Sequence, residues 1–281
     1  MTRTTTVLLD GLVFPEGPRW RNGRLWFSDI HAHRVMTVDL NGYAETVVEV
    51  PGRPSGLGWL PDGRLLIVSM TDRHLLRLDS TGLAVVADLR ALVSGDCNDM
   101  VVDRQGRAYI GNVGFDFIAG QGYAPGEIVM VTPDGKARVV AADMAFPNGT
   151  VITPDGRTLI VGESLGFRLT AFDIEPDGTL ARRRVWAQLD KAVPDGICLD
   201  AEGAIWVASP VSAEVLRVRE GGEVTDRIPV DTQAFACMLG GPDRRTLFVL
   251  TAVTWHPEEA RAHATGRIEV VEVDVPGAGL P

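Results

Sequence analysis

Cysteine is scarce in this chain of 281 residues: Cys97, Cys198 and Cys237 are an odd number with no CxxC spacing. That excludes a disulfide framework and a zinc knuckle, and it leads us to expect three small strand residues in a reducing cytoplasm. Lysine is scarcer still. Lys136 sits in the turn Pro133-Asp134-Gly135 and Lys191 in another loop, so 25 of the 27 basic residues are arginine and Schiff-base chemistry has few candidates. No apolar run approaches the roughly 20 residues that span a bilayer. Met1 to Leu9 holds one arginine, a threonine run and only three consecutive apolar residues, too few for the apolar core of a secretion signal. Excess positive charge is absent as well, because the formal net charge is -10. Neither nucleic acid nor a membrane surface is therefore an expected partner.

Helical periodicity is also missing. Nowhere does an apolar i, i+3, i+4, i+7 pattern run for about 12 residues free of glycine or proline. Nucleophile motifs fare no better: there is no G-x-S-x-G elbow and no glycine-rich loop leading from a strand into a helix. His31 and His33 have no HExxH helix around them, while His74, His256 and His263 are isolated.

What the chain has is a repeat. A unit of apolar strand, glycine-containing polar turn and second apolar strand recurs six times, starting at Phe14, Arg53, Cys97, Phe146, Val193 and Phe235. The residue before each first strand is Glu16, Ser55, Asn98, Asn148, Asp195 or Ala236, at intervals of 39, 43, 50, 47 and 41 residues. That is the length of a four-stranded propeller blade, about 40 to 50 residues. Further short alternating segments, such as Glu214 to Val218 and Glu223 to Ile228, fill the space between units. The expectation is an all-β fold, one six-bladed β-propeller over residues 1–281 with four-stranded antiparallel blades. Thr4 to Leu9 and Arg267 to Val273 fall outside the six units, and pairing them in one blade closes the ring.

In such a ring the innermost strands share one phase around the axis, so Glu16, Asn98, Asn148 and Asp195 converge on one end of the channel. Each alone is an ordinary glycine-flanked turn former. Together they make an all-oxygen set suited to a hard cation, with two carboxylates to balance a divalent charge.

The segments FPEGPRW, CNDMVVD, FPNGTVITPDGRTL and PDGICLDAEGAIWVA resemble, in order and over nearly the whole chain, the motifs of the gluconolactonase family, which includes regucalcin (senescence marker protein). The resemblance implies one divalent ion held by Glu16, Asn148 and Asp195, with calcium first and zinc, manganese, magnesium or ferrous iron as alternatives. It also implies a small lactone substrate, with Asn98 next to the metal and in contact with substrate or an ordered water, and Asp99 following in the same motif. Some sugar-lactonase members carry an arginine two residues before that asparagine to grip sugar hydroxyls; Asp96 stands there in this chain. On this reading Asp195 is the catalytic base, and Asn98 orients substrate or hydrogen-bonds the developing oxyanion. Among the polar residues ending the second strand of each unit (Asp29, Ser69, Asn112, Glu163, Ser209), Asn112 and Glu163 are kept as substrate-contact candidates. Gly114 to Gly126, rich in glycine and aromatics, is expected to form a loop over the channel. Two other functions fit the same axis: a calcium-dependent phosphotriesterase, and a non-catalytic binding scaffold with a structural metal.

Overall fold

The computed structural model describes residues 3–279. Met1, Thr2, Leu280 and Pro281, the ends of the expected 1–281 unit, lie outside the described residues. The chain folds as a six-bladed β-propeller, each blade a four-stranded antiparallel sheet. The innermost strands are Pro15–Arg21, Pro54–Trp59, Cys97–Val102, Pro147–Ile152, Ile197–Leu199 and Gln233–Gly240. Each packs on the next, and the last packs on the first. The sixth blade is a composite. Its strands run Gln233–Gly240, Thr246–Ala252, Gly266–Glu272 and then Thr6–Leu12 from the other end of the chain, with Thr6 opposite Val270. The outermost strand thus comes from the N-terminal side and fastens the ring.

Apolar layers between neighbouring sheets hold the blades together. Leu66 and Val68 of the second blade meet Met100, Ile110 and Val129 of the third, all essentially without exposure. Trp26 of the first blade meets Trp59 of the second edge to face at 5.5 Å. Among the described residues the one α-helix is Pro257–His263. Its seven residues are shorter than any window in which periodicity shows, yet they carry helix chemistry: proline in the first turn, Glu258 and Glu259 beside it, and Arg261 and His263 in the last turn. Among the described residues no helix is long and apolar enough to cross a membrane.

Two local devices bring the innermost strands to the axis in the same pose. The first is a one-residue slip in register at the start of five of them, for example between Glu16 and Arg19, Cys97 and Met100, and Pro147 and Thr150. A slip of one residue exchanges the faces of a strand, so the motif residue can face the channel while residues further along enter the interblade layers. The second is glycine directly after the motif residue in four of the six, at Gly17, Gly56, Gly149 and Gly196. A Cβ at Gly149 would lie 2.4 Å from the Ile197 amide nitrogen, and one at Gly196 would lie 2.5 Å from the Ala236 side chain. Only a residue without a side chain lets these strands approach so closely.

Candidate metal centre and active site

At one end of the channel lies a cavity of about 450 Å³ with Glu16, Asn98, Asn148 and Asp195 on its lining. They arrive from the first, third, fourth and fifth blades. Asn148 is tied down by its neighbour: its Nδ2 donates to Ser164 Oγ at 3.2 Å, and that hydroxyl donates to the Pro194 carbonyl at 2.7 Å. The Asn148 side chain is thereby fixed to the segment that presents Asp195. The backbones interlock too, because Gly149 donates to the Asp195 carbonyl at 3.1 Å and Asp195 donates to the Ala208 carbonyl at 3.0 Å. Glu16 Oε2 accepts the Gly17 amide at 2.7 Å, and Ser55 Oγ donates to Asn98 Oδ1 at 3.3 Å.

Glu16 and Asp195 keep part of their surface open to the cavity but are otherwise enclosed by protein. Burial raises the Glu16 carboxyl well above the usual range, and the neighbouring Asp195 charge raises it further. Burial also pushes Asp195 up to about 8, with Asp99 adding to the rise and hydrogen bonding with Asn148 and Glu16 opposing it. Two carboxylates so placed resist ionising together. A divalent cation between them removes that conflict, and the amide oxygens add neutral hard donors, so these residues fit such an ion. Among the described residues no group of three His, Cys, Asp or Glu side chains gathers as a metal cluster. The set here is instead two carboxylates completed by amides.

The remaining expected site residues lie elsewhere. Asp99 is buried off the cavity lining, where Arg19 Nη2 donates to its Oδ1 at 2.7 Å and the Thr150 amide donates to its Oδ2 at 3.3 Å. Asn112 and Glu163, expected to touch substrate, do not reach the cavity, and the structure corrects that expectation. Both are fully buried. Asn112 accepts the Gly114 amide and donates to Glu127, while Glu163 accepts the Ala145 amide and pairs with Arg168 and Arg183. The repeat explains Glu163: Asp29 accepts the Phe14 amide, Ser209 the Val193 amide and Glu163 the Ala145 amide. Each thus anchors the segment that leads into an axial residue, which is a positioning role.

Several residues of the site carried no sequence signal. Arg19 is 2% exposed and donates to the carbonyls of Pro18, Leu57 and Met100 as well as to Asp99. His31 stacks on Phe14 at 5.0 Å, holds the Trp255 carbonyl through Nε2 at 3.0 Å, and has a buried Nδ1 without a partner. Burial lowers its pKa to about 4. The loop between Asn112 and Gly126 lies over the channel, with Phe115 and Phe117 on the cavity wall.

Residues 14–253 match the family model described as SMP-30/gluconolactonase/LRE-like region. The chain belongs to this family. It is 25% identical to the 6-deoxy-6-sulfogluconolactonase of Pseudomonas putida, over 96% of this chain and 94% of that protein. Bovine regucalcin is 27% identical over 84% of this chain and 82% of its own length. Among solved structures, the calcium-binding protein regucalcin from Agrobacterium tumefaciens superposes with a TM-score of 0.83 at 25% identity, covering 100% of this chain and 97% of that one. A gluconolactonase from Xanthomonas campestris shares the fold at a TM-score of 0.75 and 24% identity, covering 96% of this chain and 89% of its own. The family thus includes proteins named as lactonases and a protein named as calcium-binding, on the same six-bladed frame.

Proposed function

We propose that this protein is a metal-dependent hydrolase that opens a small lactone at the axial cavity. One observation carries the reading: four oxygen-donor side chains, each from a different blade, line the floor of a single cavity in a chain whose relatives include named lactonases. Glu16, Asn148 and Asp195 hold the ion, with calcium first and zinc, manganese, magnesium or ferrous iron as alternatives. When bound, the ion supplies Lewis acidity toward the ester carbonyl and lowers the pKa of a water.

The side chains do the rest. Asp195 takes a proton from the attacking water as its oxygen bonds to the carbonyl carbon, and returns it to the ring oxygen as the ring C–O bond breaks. Asn98 donates its amide to the carbonyl oxygen as negative charge develops there. Asp99 and Arg19 fix the strands behind these groups and take no part in proton transfer. A cytoplasmic location belongs to the same proposal and rests on the cysteines, which are all buried and free.

The test is a substrate panel with chelator-stripped protein, adding each metal singly and correcting for spontaneous ring opening. The expected result is lactone turnover restored by one ion and lowered at least about 100-fold in Asp195→Ala at saturating metal. Turnover of organophosphate triesters with no lactone opened assigns the rival hydrolase instead. Binding of a macromolecule with no turnover of either class assigns the scaffold.

A further inference from the structure

The floor of the cavity is polar and its wall is not. Phe14, Phe115, Phe117, Phe146, Phe235 and Trp255 all face it. They pack on one another, with Phe117 against Trp255 at 4.7 Å, Phe117 against Phe146 at 5.5 Å and Phe14 against Phe235 at 4.8 Å. At the rim, Phe117, Leu165, Phe167 and Val211 are 39%, 43%, 42% and 73% exposed. They come from loops of three blades, and a fourth blade adds Trp255. Large apolar side chains gathered at the mouth of one cavity mark a surface that binds.

Three neutral polar side chains on this wall each hold a backbone carbonyl. His31 holds the Trp255 carbonyl and Gln233 holds the Val253 carbonyl; Ser164 holds the Pro194 carbonyl. Arg53, Asp96 and Asp116 add charged groups to one side of the cavity. Hydroxyls of a polyhydroxylated ring would find no partner on the aromatic part of the wall, and an unpaired buried hydroxyl is costly. The volume of about 450 Å³ also exceeds what a bare five- or six-membered ring needs and falls in the range that holds larger ligands.

We infer that the substrate is a lactone bearing an apolar substituent, an alkyl chain or aryl group that lies in the aromatic cage while the ester sits on the polar floor. This rests on the lactonase reading given above. Phe117 and Trp255 set the specificity, since they pack on each other at 4.7 Å on the cavity wall and both keep part of their surface open to an incoming substituent.

The experiment compares kcat/KM of the calcium-loaded protein for δ-valerolactone, δ-octalactone, δ-decalactone and D-glucono-1,5-lactone. Each added methylene is expected to raise kcat/KM about threefold, a little under the roughly fourfold that complete burial of a methylene supplies. Gluconolactone is expected to fall below every alkyl lactone. Phe117→Ser, at a partly exposed position that does not threaten folding, should cut the ratio of decalactone to valerolactone at least about fivefold. A flat chain-length series, a preference for gluconolactone, or an unchanged ratio in Phe117→Ser overturns the inference while leaving the lactonase reading intact. If no lactone opens, the reaction is wrong, and calorimetric titration with the same intact compounds decides the cage alone: tighter binding of decalactone than of valerolactone sustains it, and equal or absent binding overturns it.

Discussion

The guanidinium of Arg19 bonds to two carbonyls of neighbouring blades and to Asp99, so one side chain joins the innermost strands of the first three blades. Asp99 passes the link to the fourth through the Thr150 amide. Both side chains are at least nine-tenths buried, and removing one partner strands the other's charge. Arg19→Met should therefore lower unfolding free energy by about 3–5 kcal/mol in denaturant titration; a loss below about 1 kcal/mol would contradict the assignment. His31 offers a test by pH. Its folded pKa of about 4 lies below the unfolded value of 6.5, so the unfolded chain binds a proton first as pH falls. The stability that this neutral, buried imidazole contributes is complete above about pH 6.5 and is lost down to about pH 4, amounting to at most about 3 kcal/mol. His31→Gln should therefore gain on wild type by up to that amount between those pH values, read from denaturant midpoints. A constant difference across that range would refute it. Neither residue was legible beforehand. The axial donors share one phase of a repeat, whereas Arg19 looks like any strand arginine; of the wall aromatics, Phe14, Phe146 and Phe235 open repeat units, but Phe115, Phe117 and Trp255 come from loops outside them.

Register slips and glycines at the motif make the innermost strands into site-building elements. A methyl at Gly149 meets the Ile197 backbone at 2.4 Å, and backbone cannot rotate aside as a side chain can. Gly149→Ala should destabilise the fold by about 1–3 kcal/mol and weaken calcium binding by more than tenfold, because it separates Asn148 from Asp195. Calorimetry that finds wild-type calcium affinity would show that the close approach is not needed. The number and length of blades could be read from the sequence because strand, turn and glycine recur at blade spacing. The slips could not, since they exist only in how two strands pair. That gap misled the reading of Asn112 and Glu163. They end strands near the channel and look like donors, but their side chains turn into the blade, where the amides of Gly114 and Ala145 need acceptors.

Across the whole ring, closure depends on Thr6–Leu12 pairing with Gly266–Glu272. Ring closure was anticipated from two strand-like segments left over by the repeat, and their pairing covers Leu12, which is 2% exposed. Deleting residues 3–12 should cost at least about 3 kcal/mol through lost apolar burial and should broaden the unfolding transition, as a circular dichroism melt would show; an unchanged melt would mean that the sixth blade is stable without its outer strand. The ring also gives the site its logic, since residues far apart in the chain meet only because six blades share one axis. The central claim is that this meeting point holds an ion that hydrolysis requires. The most direct measurement is the initial rate of δ-decalactone opening by chelator-stripped protein as calcium is titrated back, in wild type and in Glu16→Gln. The account predicts negligible wild-type rate without calcium, saturation at one ion per chain, and at least a 100-fold lower rate in Glu16→Gln at the same calcium. Full activity in the stripped wild type, or an unaltered calcium response in Glu16→Gln, would contradict it.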